Sequence, residues 1–227
     1  MSEESSAPRI GPPAQPRDAA TVVILRDRKD AIEVYLVKRS RMVDFMAGAH
    51  VFPGGRFDPA DASMEACAVR ETFEEAALRL DPAALVPWVR WVTPDISPRR
   101  FDARFFLARA PEGQEPRVDG HEATEGLWIT PAGALESWLG DGMLLAPATA
   151  KCLDALLAHR TVDDALAAAA KRPPPVMQPL VWNDKETGRA YISLPGDRHH
   201  PVREDALGGT ILRFQLEAGR YRPVNAH

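Results

Sequence analysis

One stretch of the chain reads Arg70-Glu71-Thr72-Phe73-Glu74-Glu75, which on a helix places carboxylates at i, i+3 and i+4 of one face. Like charges at that spacing destabilise a helix by about 0.2–0.5 kcal/mol per pair, so the cluster either lies loose in water or is neutralised by a cation. All-oxygen ligation favours Mg²⁺ or Mn²⁺. Upstream stands Phe52-Pro53-Gly54-Gly55-Arg56. Consecutive glycines let backbone approach a ligand closely and present N–H groups to phosphate oxygens, here beside Arg56. Alone, such a pair is a turn and the glutamates are a solvated helix face. A glycine loop followed at a fixed distance by clustered carboxylates is rarer than either part.

These residues need elements to hold them. The β-branched and apolar runs Thr21 to Leu25 and Ile32 to Lys38 flank the charged stretch Arg26 to Asp30, which predicts a hairpin. From Asp61 to Leu80 the spacing predicts a helix with Val69, Phe73, Ala76 and Leu80 as its buried stripe and the glutamates opposite, ended by Pro82. Strands follow at 86–92, 99–108 and 126–130, and helices at 131–139, 148–159 and 162–171, before Pro173-Pro174-Pro175. Further strands are expected at 190–194, 210–216 and 221–224, the last two joined through Gly219. Residues 1–18, rich in Ser and Pro, read as a disordered arm, 19–145 as the core, and 146–227 as an extension packed on it.

Composition narrows the partners. Lys plus Arg total 28 against 32 Asp plus Glu, so no excess of positive charge exists to hold nucleic acid as a bulk polyanion. Two cysteines, Cys67 and Cys152, are too few for a disulfide framework and lack metal-ligand spacing. No apolar run has the length of a membrane span. A cytoplasmic setting fits best.

With these residues in view, the chain resembles the Nudix hydrolase family, whose signature runs Gly, five residues, Glu, seven residues, then Arg-Glu-aliphatic-any-Glu-Glu-any-Gly-aliphatic. Here Gly55 is followed after five residues by Asp61 and, after eight more, by Arg70-Glu71-Thr72-Phe73-Glu74-Glu75-Ala76-Ala77-Leu78. Asp61 stands for Glu, with Glu65 an alternative occupant of that position; Thr72 stands for an aliphatic residue and Ala77 for Gly. The upstream segment Tyr35-Leu36-Val37-Lys38-Arg39-Ser40, then Asp44, Gly48 and Phe52-Pro53-Gly54-Gly55, is similar in every spacing to the motif of the coenzyme A diphosphatase branch, with Asp44 in place of that motif's second arginine.

The resemblance implies a Nudix-type α/β/α sandwich with a mixed β-sheet and a C-terminal extension of helices and strands. It implies metal-dependent hydrolysis of a diphosphate linkage in a nucleoside diphosphate derivative, coenzyme A or acyl-CoA first. The rivals are ADP-ribose, a dinucleotide or a nucleotide sugar as substrate, or a catalytically silent nucleotide-binding module. By the same resemblance Glu71, Glu74 and Glu75 ligate Mg²⁺ or Mn²⁺ and Arg70 braces one of these carboxylates. Glu125, with Glu122 second, supplies a later acidic group, while Arg39, Gly54, Gly55 and Arg56 face the substrate. His50 precedes the glycine loop and is expected to be structural, as are His199, His200 and Cys67. The tryptophans are expected to pack against strands, with stacking of one on an adenine as the alternative. The C-terminal segment is left to cover the cleft or to build a homodimer interface.

Overall fold

The computed structural model describes residues 14–29, 31–40 and 46–224. The expectations for residues 1–13 and for Asp44 lie outside the described residues. The expected hairpin is present. Strand β1 (Arg17–Arg28) pairs antiparallel with β2 (Ala31–Arg39), Leu25 opposite Val34 and Arg28 opposite Ala31. The first strand begins at Arg17 rather than at Thr21, because the Arg17 N–H donates to the Arg100 carbonyl and the pairing of Arg17 with Phe101 extends the ladder.

Two short strands, β3 (His50–Val51) and β4 (Gly54–Arg56), precede helix α1 (Met64–Ala76) and a one-turn 3₁₀ helix at Pro82–Ala84. Then come β5 (Val86–Val92), β6 (Phe101–Arg109) and β7 (Ala123–Ile129), followed by helices α2 (Pro131–Leu139), α3 (Pro147–Leu156) and α4 (Val162–Ala170). The chain ends in β8 (Val176–Met177), β9 (Leu180–Asn183), β10 (Ala190–Ser193), β11 (Arg213–Glu217) and β12 (Arg220–Pro223). The first eight strands form one mixed sheet whose central path runs β3-β2-β1-β6-β5-β8. Within it β1 is parallel to β6, and β5 is parallel to β8.

Alternation along β1 sorts the core into two layers, because successive side chains point to opposite faces. Ala20, Val22 and Ile24 pack with Tyr35, Phe106 and the buried side of α1. Val23 and Leu25 pack with Leu107 and with helices α2, α3 and α4 on the other face. Buried on both sides, β1 is nearly continuously apolar, as such a strand must be. The result is the α/β/α arrangement with a mixed sheet and four helices.

Helix α1 differs from its sequence reading in length and facing. It starts at Met64 because Ser63 caps it, its Oγ accepting from the Ala66 N–H at 3.2 Å. It ends at Ala76, well before Pro82, because Ala77 takes the left-handed conformation (φ 55°) and its N–H donates to the Phe73 carbonyl. The buried residues are Met64, Cys67, Ala68, Thr72, Glu75 and Ala76. Phe73, expected in the stripe, is 41% exposed and lies beneath the Arg79 guanidinium. The polar pair Thr72 and Glu75 takes the inward positions instead.

The last four strands form a separate antiparallel sheet, β9-β10-β11-β12. The turn between β11 and β12 places Ala218 (φ 46°) and Gly219 (φ 77°) both in the left-handed region, as a two-residue hairpin turn requires. Helix α3 ties this sheet down. Asp154 accepts the Thr210 and Ile211 N–H groups at 2.6 and 2.7 Å, and Lys151 donates to Asp205 at 2.7 Å. From α2, the Trp138 ring packs against Phe214.

Candidate active site

Strand β4 and helix α1 meet at the glycines. Gly54 donates its N–H to Glu75 Oε2 at 2.9 Å. A Cβ at Gly55 would sit 2.3 Å from Glu71 Oε2, and one at Gly54 would sit 2.4 Å from the Ala20 carbonyl oxygen. Only glycine permits this approach. The sequence reading gave the glycine backbone to phosphate oxygens; the structure directs the Gly54 N–H to a carboxylate.

Arg70 donates to three carboxylates at once. Its Nε and Nη2 donate to both carboxylate oxygens of Asp61 at 2.9 and 2.8 Å, while Nη1 donates to Glu71 Oε1 at 2.9 Å and Glu74 Oε2 at 3.0 Å. The two-pronged bond from Arg70 holds the Asp61 carboxyl well below the usual carboxylate range. Asp61, one methylene shorter than Glu, is thereby tied to the same guanidinium as Glu71 and Glu74.

Glu75 behaves differently. It is 5% exposed, and burial pushes its carboxyl up to about 7 against the Gly54 N–H and the Arg39 charge, with the negative charges of Glu71 and Glu122 adding to the rise. Burial likewise pushes Glu71 up, opposed by Arg70 and reinforced by Glu74 and Glu122. Anionic oxygens are therefore crowded where solvation is poor and cationic compensation is incomplete. The donor set is all hard oxygen and suits Mg²⁺ or Mn²⁺. Among the described residues these side chains do not stand in a closed ligating group; Glu71 and Glu74 are turned toward Arg70.

A cleft of about 1400 Å³ opens over these groups and is lined by Glu71, Glu74, Glu75, Arg39, Gly54, Gly55 and Arg56. The two later carboxylates part company. Glu125 is turned to Lys38, 2.8 Å from its Nζ and 63% exposed, away from the cleft lining. Glu122 lines the cleft. Its loop is organised by Asp119, whose carboxylate accepts the N–H groups of His121, Glu122 and Ala123 at 2.9–3.1 Å. The sequence signal for that loop is an Asp three residues before Glu122, able to accept backbone N–H groups of the turn.

The expected bystanders sit elsewhere. His50 is buried, with Nδ1 lacking a hydrogen-bond partner among the described residues, and burial lowers its pKa. His199 stacks on Trp182 and His200 meets the Gln178 carbonyl. Burial pushes the Cys67 thiol up to about 12, which leaves it unreactive. Trp88 and Trp128 pack on strands, whereas Trp91 lines the cleft. Of the two roles open to the C-terminal segment in sequence, its sheet lines the far wall of the cleft, together with Thr93 and Ile96, which sequence reasoning did not single out.

A carboxylate-bearing helix is thus locked to a glycine strand on one face of an α/β/α sandwich. The chain belongs to the Nudix family: the NUDIX domain matches residues 15–144. A Caenorhabditis elegans relative described as nudix hydrolase 7 is 28% identical over 156 residues, which are 51% of this chain and 52% of the relative. The chain thus spans about half the length of that curated relative. The crystal structure of a NUDIX hydrolase from Alicyclobacillus acidocaldarius is similar with a TM-score of 0.62 and 26% identity, covering 67% of this chain and 96% of that one. The NUDIX domain of Shewanella oneidensis NrtR, solved with ADP ribose, shares the fold at a TM-score of 0.51 and 17% identity, over 66% of this chain and 90% of that one. Among the described residues no helix is long and apolar enough to cross a membrane.

Proposed function

We propose that the protein hydrolyses the diphosphate linkage of a nucleoside diphosphate derivative, with coenzyme A or acyl-CoA as the leading substrate and Mg²⁺ or Mn²⁺ as the cation. The observation that carries the reading is Glu75: a buried carboxyl beside Glu71 and Glu122 at the cleft, its charge opposed by burial. In a chain without ligand-binding work there, an apolar residue would serve the helix better. Glu71, Glu74 and Glu75 would hold the cation, by rotation of Glu71 and Glu74 away from Arg70.

A bound divalent cation supplies charge neutralisation at the phosphate oxygens and acidifies water. The chain's own groups do the rest. Arg39 and Arg56 orient the phosphates, and Arg70 with Asp61 holds the glutamates in place. Glu122, rather than Glu125, accepts the proton of the attacking water, because Glu122 shares the cleft with the cation ligands. Water adds to one phosphorus and the bridging P–O bond breaks. With coenzyme A the products are phosphopantetheine and adenosine 3′,5′-bisphosphate.

The coenzyme A preference rests on the spacing from Leu36 to Gly55 and on Arg39 at the cleft wall. Asp44, a reversed charge in that motif, favours another diphosphate as the second reading. A product-resolved assay with each metal on coenzyme A, ADP-ribose, NADH and a dinucleoside polyphosphate decides. Selective cleavage of coenzyme A supports the first reading, and preference for another diphosphate replaces it with the second. Absence of metal-dependent turnover on all four leaves a nucleotide-binding module.

A further inference from the structure

The cleft continues beyond the glutamates as a slot between two sheets, and its chemistry changes on the way. Its floor is the face of the large sheet that carries Ala103 and Phe105. Its roof is one face of the four-stranded sheet. The register puts Ile192 opposite Val181 and Leu216 opposite Tyr221, with Phe214, opposite Ile192, on that same face. Phe214 is fully buried against Trp138, but further along the same face Leu216 is 42% exposed, and both Leu216 and Ile192 look into the slot. Across from them, the turn after β5 offers Ile96, 71% exposed.

Single exposed apolar residues are ordinary on a protein surface. Here they converge on one concavity, continuous with the carboxylates that face a diphosphate. The volume of about 1400 Å³ exceeds the roughly 300–1,000 Å³ of a common small-molecule pocket. A diphosphate at the glutamates with a polar nucleoside beside it leaves the slot to be filled; Arg17 and Arg99 also line the cleft, while Ile96, Phe105, Val181, Ile192 and Leu216 give the slot an apolar stretch that favours hydrocarbon over ribose.

We propose that the slot between the C-terminal sheet and the 93–99 turn is a subsite for an apolar chain carried on the substrate's far phosphate, so that Ile96, Ile192 and Leu216 set chain-length preference. The proposal rests on the diphosphate reading of the glutamates. It assigns the C-terminal segment a substrate-binding role.

The test uses the full chain and a homologous series of adenosine diphosphate alkyl esters: methyl, butyl and octyl. Dissociation constants come from calorimetry without divalent cation, and turnover is followed separately with Mg²⁺. A buried methylene is worth about fourfold in affinity, so binding is expected to tighten about two- to fourfold per methylene from butyl to octyl. Leu216→Asp and Ile96→Ser, both at exposed positions, are expected to flatten that dependence. A dissociation constant independent of chain length overturns the subsite. So does a dependence that both variants leave intact, or a Leu216→Asp variant whose only change is a lost self-association. Turnover with flat binding removes the subsite and keeps the hydrolase. Chain-dependent binding without turnover of any ester supports the subsite, and the four-substrate assay then decides the hydrolase reading.

Discussion

Two buried carboxylates in this molecule meet opposite fates. Asp197, fully buried at the C-terminal sheet, accepts from Arg213 Nε and Nη2 at 2.9 and 3.0 Å and from the His199 N–H at 2.7 Å. Burial opposes its ionisation, yet these donors prevail and hold its carboxyl below the usual carboxylate range. Glu75, nearly as buried, accepts from the Gly54 N–H and feels the Arg39 charge, but it stands beside Glu71 and Glu122 and burial pushes it up to about 7. Compensation completed by the chain itself marks a structural ion pair. Compensation left unfinished beside a cleft is what the proposed cation would complete.

The comparison breaks most visibly at Glu75. On the proposed reading Glu75→Gln removes a cation ligand and is expected to lower kcat by about 10³-fold or more, several kcal/mol of transition-state stabilisation, while the metal-free protein unfolds no earlier. Turnover at the parent rate, read in the same Mg²⁺ assay, would remove Glu75 from the ligand set. Asp197→Asn should do the reverse. It strands the Arg213 charge and should cost about 3–5 kcal/mol in a denaturant titration, with turnover retained by the folded fraction. The pH dependence has a defined sign. With its folded pKa depressed, Asp197 contributes stability that is present above its unfolded value of 3.8 and lost as pH falls through the depressed value. That acid limb should be shallower in Asp197→Asn.

Which parts of this contrast are legible in sequence follows from what hydrophobic patterning reports. Strand β5, helix α2 and the β1–β2 hairpin carry their own signals, in β-branched runs and in Pro131 at the first helical position. The facing of α1 does not, because two of its inward residues are Thr72 and Glu75. A carboxylate and a hydroxyl vote for solvent in any amphipathic count, so the stripe was drawn through Phe73, which the chain covers with Arg79 instead. Strand β9 has only Leu180-Val181-Trp182-Asn183 to announce it, and tertiary pairing with β10 decides it. The Nudix glutamates and Arg70 were legible as a motif. Their division into braced, half-buried and buried members required the glycine strand in three dimensions.

A smaller effect sharpens the role of the loop at the cleft mouth. Asp119→Ala removes the acceptor of three backbone N–H groups and should loosen Glu122. A loss of about tenfold in kcat/KM is expected, within the range for groups that orient ligands from behind, and Asp119→Asn, which keeps one carbonyl acceptor, should restore part of it. If Glu125 rather than Glu122 is the proton acceptor, Asp119→Ala will be silent and Glu125→Gln will carry the loss.

The signature's departures leave costs of their own. Thr72 is fully buried and its Oγ1 has no partner among the described residues, so Thr72→Val, which fills the same space, should stabilise the protein by about 1 kcal/mol.

The smallest effect compares strain instead of charge. Ala77 (φ 55°) ends the helix that carries the glutamates, and Ala218 (φ 46°) sits in the turn of the C-terminal sheet. An alanine in the left-handed region costs about 1–2 kcal/mol that glycine avoids, offset in part by about 0.4–1 kcal/mol of greater chain entropy in the unfolded glycine variant. Ala77→Gly and Ala218→Gly should therefore each raise stability by about 0.5–1 kcal/mol in parallel denaturant titrations. Their activities separate the regions further. Ala77 lies two residues beyond Glu75 and its N–H closes the last turn on Phe73, so a freer backbone there can alter the frequency with which Glu74 and Glu75 reach the proposed cation. Equal stabilisation with a changed metal dependence in Ala77→Gly alone would mean that the alanine holds the helix end rigid for the carboxylates. Equal stabilisation with neither activity changed would confine Ala77 to the role that Ala218 already has, a strained turn residue with no part in the chemistry.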